Sequence, residues 1–422
     1  MALMGQGNTR GRHLFDGGLR FGDGGGLIAR LVAGGVDKVV EKIDAGLETG
    51  RIEARLPDGS IRVVGGRRPG FEARIHIRDW RAIVRLFTGG SVGWYRAWEA
   101  GEWDSPDPVP IFALFMKNAE GLGSVGRAKG PWRMASRLAH WLNRNTISGA
   151  KANISAHYDL GNDFYAAWLD PTLCYSSALF AGTDVPLEQA QQAKVRALAN
   201  RLNLSGGDKV LEIGCGWGYL ARTMANDFGA NVTAISLSDE QLAHAREANS
   251  DDARKVDFRH QDYRDTSGCY DAIASVEMVE ALGREYWPTY MDCIARNLKP
   301  GGRAAIQYIS IRDDLFEAYA ASADFIQAFI FPGGLLIRTS EFRQLAEDRG
   351  LSWEDQTDFG LDYAETLKLW RNAFDRAAAE GKLPRGFDDR FVRLWRFYLM
   401  YCEGGFRGGG IDVHQVTLVK NA

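Results

Sequence analysis

The sequence predicts an α/β protein: a mostly parallel sheet covered by helices, preceded by a smaller N-terminal α+β domain. Three observations carry that expectation. From about residue 195 short apolar runs alternate with helical stretches, the β–α–β rhythm of a parallel sheet. Upstream, RIEARLPDGSIRVVGG (51–66) reads as a hairpin around a Pro-Asp-Gly turn. Between the two, Gly121 to Tyr158 contains no acidic residue while Arg127, Lys129, Arg133, Arg137, Arg144 and Lys151 are basic, and this change of character sets a domain boundary near 145. The expected domains are 1–145 and 146–422, in keeping with a chain too long for one ordinary domain.

Taken in order, FEARIHIRDWRAIVRLF (71–87) follows the hairpin as strand and then helix. The Trp-rich VGWYRAWEAGEW (92–103) comes next, then an apolar helix, PVPIFALFMKNA (108–119). In PWRMASRLAHWLNRN (131–145), Trp132, Met134, Leu138, Trp141 and Leu142 are mixed with arginines. That mixture suits either a helix lying on anionic lipid or an interdomain linker with a solvated charged face. The later strands are KVLEIG, NVTAISL, KVDFRHQ, DAIASV, GRAAIQYIS, LSWEDQTDFG and IDVHQVTLVK. Ligand loops of such a sheet sit at the carboxyl ends of its strands. Glu277 and Glu280, just after DAIASV, therefore belong on that rim.

Composition narrows the function. A net charge of −3 argues against a dedicated nucleic-acid binder. The five cysteines (Cys174, Cys215, Cys269, Cys293, Cys402) have no CxxC spacing, so neither a disulfide framework nor a metal site is expected. No apolar run approaches the roughly 18 residues of a spanning helix, and the N-terminus lacks the apolar core of a signal peptide. The expectation is a cytoplasmic protein whose membrane contact is peripheral and transient.

The strongest local motif is VLEIGCGWGYLA (210–221): strand, Gly-x-Gly-x-Gly, helix. The glycines let the backbone turn sharply and approach a ligand. No Gly-Lys-Ser/Thr follows, and the third glycine comes too early for a dinucleotide loop. Glu212 ends the strand, placed to set chain geometry or to orient a ligand ammonium. An acidic residue before GxGxG in the first unit of the sheet resembles the S-adenosylmethionine loop of class I methyltransferases. That likeness implies a Rossmann-like, seven-stranded sheet with its last strand antiparallel, a place that IDVHQVTLVK fits. The second strand ends AISLSDEQ (234–241) rather than in an acidic residue, which leaves Ser236 and Gln241 as polar partners and Ser238 as a helix cap.

The resemblance then becomes specific. HYDLGNDFYAAWLDPTLCYSSALF (157–180), LEIGCGWG, ISLSDEQ, SVEMVEALG, FIFPGG (329–334) and YLMYCEGGFRGGGIDVHQV (398–416) resemble, in order, blocks of the cyclopropane-fatty-acyl-phospholipid synthases and mycolic acid methyltransferases. WYRAWEAGEWDSPD (94–107) loosely matches the extra N-terminal domain of the phospholipid enzymes. By matching positions, the resemblance implies cofactor contacts from Tyr175, Ser176, Gly214, Gly216 and Gly218, with Ser236 and Gln241 near the ribose and Gln261 and Asp262 near adenine. It also implies an unsaturated fatty-acyl phospholipid substrate and a possible homodimer.

The reaction implied is methyl transfer from S-adenosylmethionine to a cis double bond, then loss of a proton from the new methyl to close a cyclopropane ring. The intermediate is a carbocation, so the site should be dry, aromatic-lined and negatively charged, with a base in reach. Glu280 matches the family's site carboxylate, and Tyr398, on an apolar helical face with Phe391, Leu394, Trp395, Leu399 and Cys402, matches its site tyrosine. Glu277 matches no family site residue and reads as structural. Two positions depart from the branch in which bound bicarbonate is the base: Ser177 stands where that branch has cysteine, and Gln307 where it has histidine, with Ile309 as the backbone contributor. Neither substitute brings a positive charge, which puts bicarbonate in doubt. Without that base the same cation can lose a different proton and give a methyl- or methylene-branched chain. YAASADFIQAFIFPGG (319–334) and LWRNAF (369–374) are candidate walls for the acyl chain, or ordinary helix packing.

Overall fold

The computed structural model describes residues 10–19, 36–123, 160–252, 256–322 and 324–422. The basic stretch 131–145 lies outside the described residues. The chain forms two compact units: Met1–Arg144 with Asp314–Pro332 and Leu383–Ile411, and Asn145–Asp313 with Gly333–Lys382 and Asp412–Ala422. The boundary read near 145 lies outside the described residues, and two later segments, including the one that carries Tyr398, join the first unit.

In the first unit, β1 (Thr49–Arg55) pairs antiparallel with β2 (Ile61–Gly65), and β3 (Arg68–Ile77) runs parallel to β1. A two-residue strand, β4 (Trp103–Asp104), completes the order β2-β1-β3-β4. The β1–β2 turn forms because Asp58 Oδ1 accepts from Ser60 N (2.9 Å) and Gly59 takes φ +84°. Helix Arg81–Glu99 bends at Gly90, then sends Trp94 to stack on Trp103 at 4.3 Å between ring centroids. The tryptophan-rich stretch is therefore core. Tyr95 packs against Phe325, Phe329 and Phe397 at 5.0, 4.6 and 5.2 Å, so the apolar run 319–334 supplies that same core. Helix Asp389–Arg407, capped by Asp388 on Phe391 N, buries Phe391, Leu394, Trp395, Tyr398 and Leu399 as their spacing requires. Tyr398 there lies edge-on to Trp395, 5.2 Å between centroids.

The second unit holds a seven-stranded sheet. Its strands are β5 (Lys209–Ile213), β6 (Asn231–Ser236), β7 (Asp257–His260), β8 (Tyr270–Val276), β9 (Leu298–Ile311), β10 (Leu351–Asp358) and β11 (Ile411–Lys420), in the order β10-β11-β9-β8-β5-β6-β7. Strands β5 to β9 run parallel to one another, while β10 and β11 are antiparallel to each other. This is the α/β sheet expected, including a long final strand that inserts beside β9. Near-continuous burial of Val210, Leu211, Ile213, Ala272, Ile273 and Ala274 fits strands covered on both faces. The chain steps outward from β5 through β7 and then returns to the other side of β5 as β8. That reversal opens a crevice at the carboxyl ends of β5 and β8. No helix among the described residues is long and apolar enough to cross a membrane.

Candidate active site

The crevice is walled first by the loop after β5. Gly214, Gly216 and Gly218 all have positive φ (81°, 51° and 84°), which side-chain-bearing residues adopt at a cost. At Gly218 there is a steric reason as well: a Cβ would lie 2.8 Å from Phe258 Cζ and 2.9 Å from Ala245 Cβ. Gly218 thus seats the following helix, Tyr219–Phe228, against its neighbours, while Gly214 and Gly216 line a cavity.

That cavity also takes in Tyr175, Ser176, Lys194 and Glu212. Glu212 is 3% exposed, and its Oε2 is buried without a hydrogen-bond partner among the described residues. Burial pushes its carboxyl up to about 8, against the pull of Lys194. An orphaned carboxylate oxygen beside a glycine turn fits the ammonium of an amino-acid ligand such as the methionyl end of S-adenosylmethionine. Lys194 is itself buried and donates from Nζ to Ser176 Oγ at 2.6 Å. Gln191 Nε2 donates to the carbonyls of Ser176 (2.8 Å) and Cys174 (3.2 Å), so one helix fixes the Cys174–Ser176 segment. Tyr175 is held in an aromatic panel, 5.3 Å from both Tyr165 and Trp370 and 5.8 Å from Trp168.

At the other end, Ser236 and Gln241 line the cavity and lie 3.4 Å apart (Oγ to Oε1), and Ser238 caps helix Asp239–Ala248 by accepting from Gln241 N. Gln261 lines it too, with Nε2 directed to Thr266 Oγ1 at 3.2 Å. Asp262 does not: its carboxylate is taken by Arg264, with Nη2 to Oδ2 at 2.6 Å.

The loop after β8 supplies Glu277, Met278 and Ala281 to the same cavity. Glu277 has φ +48°, a left-handed conformation uncommon for glutamate. Its Oε1 accepts from Ser177 N (2.9 Å) and Gln307 Nε2 (2.8 Å), and its Oε2 accepts from the Tyr363 hydroxyl (2.8 Å). Glu280 does not line this cavity; its Oε1 accepts from Ile309 N and its Oε2 is buried without a partner among the described residues. Burial raises the Glu277 carboxyl, opposed by those three donors; burial and then the charge of Glu277 raise Glu280 well above the carboxylate range. Ser177 gives its hydroxyl to Ala178 O (2.9 Å), and Gln307 receives Gln415 Nε2 on its own oxygen (3.0 Å).

Sequence reasoning missed Lys194, Tyr363 and the role of Glu277. Lys194 had a signal: it falls on the helical stripe Ala190, Leu198, Leu202, where a charge is out of place. Glu277 had none within reach, because Ser177, Gln307 and Tyr363 are 100, 30 and 86 residues away. Tyr398 belongs to the other compact unit.

Comparison with known proteins matches residues 146–416 to the family model described as mycolic acid cyclopropane synthetase. Tuberculostearic acid methyltransferase UfaA1 of Mycobacterium tuberculosis is 36% identical over 359 residues, 80% of each chain. Cyclopropane-fatty-acyl-phospholipid synthase of Escherichia coli is 34% identical over 352 residues, 82% of this chain and 88% of that one. The crystal structure of the mycolic acid cyclopropane synthase CmaA1 with SAH and CTAB aligns with a TM-score of 0.60 at 30% identity, covering 64% of this chain and 98% of that one.

Proposed function

The chain belongs to the mycolic acid cyclopropane synthetase family, and from that premise we propose that its substrate is the unsaturated acyl chain of a phospholipid, reached at a membrane surface. It is an S-adenosylmethionine-dependent methyltransferase that builds a cyclopropane on an unsaturated lipid. The observation that carries the reading is the joining of a glycine-turn cavity with an orphaned Glu212 oxygen to a carboxylate-bearing rim, Glu277 to Glu280.

S-adenosylmethionine supplies an electrophilic methyl group on a sulfonium. Glu212 would hold its ammonium, Ser236 and Gln241 its ribose hydroxyls, and Gln261 its base, while Gly214 and Gly216 admit it close to the backbone. Tyr175 and the panel of Trp168 and Trp370 exclude water and present ring faces to positive charge. Glu280, the match to the family's site carboxylate, keeps an uncommitted oxygen, and a developing cation would favour its ionised form. Ser177 and Gln307 act by donating from N–H groups to Glu277. For Tyr398 the support is its match to the family's tyrosine.

Mass spectrometry of lipids from cells expressing the chain tests the assignment. The expected result is a gain of one CH₂ on unsaturated phospholipid, with proton NMR showing ring hydrogens. An unchanged lipid profile rejects the substrate; a methylene signal in place of ring hydrogens replaces ring closure with branching. For the membrane, the basic and Trp-bearing composition of 131–145 supports contact with anionic lipid. Arg133→Glu with Arg137→Glu should abolish sedimentation with anionic vesicles, and undiminished pelleting would refute that contact.

A further inference from the structure

We propose that Glu277 is the base that accepts the ring-closing proton, so that the chain carries its own carboxylate where a bound bicarbonate would otherwise serve; this rests on the lipid-methylating reading above. The first reason is position. Of the two rim carboxylates, Glu277 lines the donor cavity beside Met278 and Ala281, and Glu280 does not.

The second reason is how its oxygens are held. Three donors, Ser177 N–H, Gln307 Nε2 and the Tyr363 hydroxyl, converge on Glu277 at 2.8–2.9 Å. All three are neutral. They favour the ionised form and orient it, and the charge of Lys194 in the same cavity lowers the carboxyl as well. Ser177 and Gln307 are also the two positions at which the chain departs from the bicarbonate-holding pattern, and both have donors committed to Glu277. The remaining capacity of each is spent inside the fold, the Ser177 hydroxyl on Ala178 O and the Gln307 oxygen on Gln415. An external anion would have to displace the Glu277 carboxylate to reach these donors.

The third reason is strain. A glutamate at φ +48° is strained relative to glycine, and such strain persists where the surroundings enforce it. The bonds from Gln307 do so twice: its side chain donates to the Glu277 carboxylate and its carbonyl accepts from Glu277 N at 2.8 Å. Burial raises both carboxyls, and the charge of Glu277 raises Glu280 further, while the three donors oppose the rise at Glu277.

Once the methyl carbon has bonded to one alkene carbon, the other is electron-deficient. A C–H bond of the transferred methyl breaks, its electron pair forms the third ring bond, and the proton goes to a carboxylate oxygen of Glu277. The acid returns its proton to solvent after the product leaves.

The test uses the full chain and two variants, Glu277→Gly and Glu277→Gln. Carbon-13 bicarbonate, observed by NMR without donor or lipid, is expected to bind Glu277→Gly and not the wild type. In carbonate-depleted buffer, wild-type release of S-adenosylhomocysteine with unsaturated phospholipid should be unchanged. Glu277→Gly should fall about 100-fold and recover about tenfold with added bicarbonate, while Glu277→Gln should fall without rescue, its amide still filling the place. Bicarbonate binding to the wild type, a wild type that needs bicarbonate, or a Glu277→Gln enzyme at the wild-type rate each overturns the proposal. If the wild type fails on the lipid while the NMR contrast holds, the substrate reading fails and Glu277 stands.

Discussion

Two loops flank the same crevice, and they are built by different physics. The loop after β5 takes its shape from its own backbone: three glycines at positive φ and a helix starting at Tyr219. The loop after β8 contains a glutamate at positive φ and is held by the Ser177 N–H and by side chains from 307 and 363. The first can be read locally, and a mutation there acts on shape. The second exists only once distant parts of the chain have met, and mutations there act on charge.

The largest expected effect separates these modes within the first loop. Glu212 lies 3% exposed and its carboxyl is raised to about 8, above its value in the unfolded chain. A carboxylate raised on folding binds more protons in the native state, so stability falls as pH climbs from the ordinary carboxylate range to about 8. Each pH unit crossed costs about 1.4 kcal/mol. Glu212→Gln should therefore make the ligand-free chain several kcal/mol more stable at pH 8 by urea denaturation, with little change near pH 4.5, and should weaken cofactor binding. Binding by the wild type at pH 7 should release up to about one proton, measured by calorimetry in buffers of different ionisation enthalpy. Uptake instead of release would mean the ligand ammonium is held elsewhere.

In the second loop, Glu280→Gln is expected to lower turnover by about 100-fold or more, equivalent to about 2.7 kcal/mol, with cofactor affinity near normal. The ligand-free variant should be about as stable as the wild type, since burial already disfavours the charged form of Glu280 and an amide oxygen can still accept from Ile309 N. A joint collapse of turnover and affinity would instead make Glu280 a structural residue. A smaller contrast tests the backbone mode directly. Gly218→Ala meets both the φ penalty and the contacts at Phe258 and Ala245, and should cost about 1–3 kcal/mol. Gly216→Ala has nothing within 4 Å and should cost only the conformational penalty, about 1 kcal/mol. Equal melting shifts for the two would remove packing as the reason for glycine at 218.

The same division explains what was legible. The parallel sheet and the glycine turn follow from alternation of apolar runs and from residues whose conformational needs are local. The Ser238 cap and the Tyr398 helix face are equally local, and sequence spacing suffices for them. The unit borders were not legible, because burial of Phe325, Phe329 and Phe397 around Tyr95 joins three separated stretches into one core. Asp262 was named from its place after β7, yet a neighbour two residues on, Arg264, claims its carboxylate. Glu277 was set aside because matched positions identify what the family shares, and its partners assemble only in the folded chain.

The smallest effect is the sharpest test of the second loop. Tyr363 OH donates to Glu277 Oε2 at 2.8 Å, and Tyr363→Phe removes that donor while leaving Ser177 and Gln307 in place. The hydroxyl lowers a carboxyl that burial has raised, so its loss should raise Glu277 further. A base works only when ionised, so the acid limb of the kcat/KM profile should move to higher pH. The plateau at high pH should persist, because the carboxylate that remains is the more basic. A Tyr363 that merely packs against Trp370 would give the opposite pair of results, a lower plateau and melting temperature with the limb in place. That outcome would detach Glu277 from the titration that controls turnover and leave the loop after β8 with Glu280 alone as its acting charge.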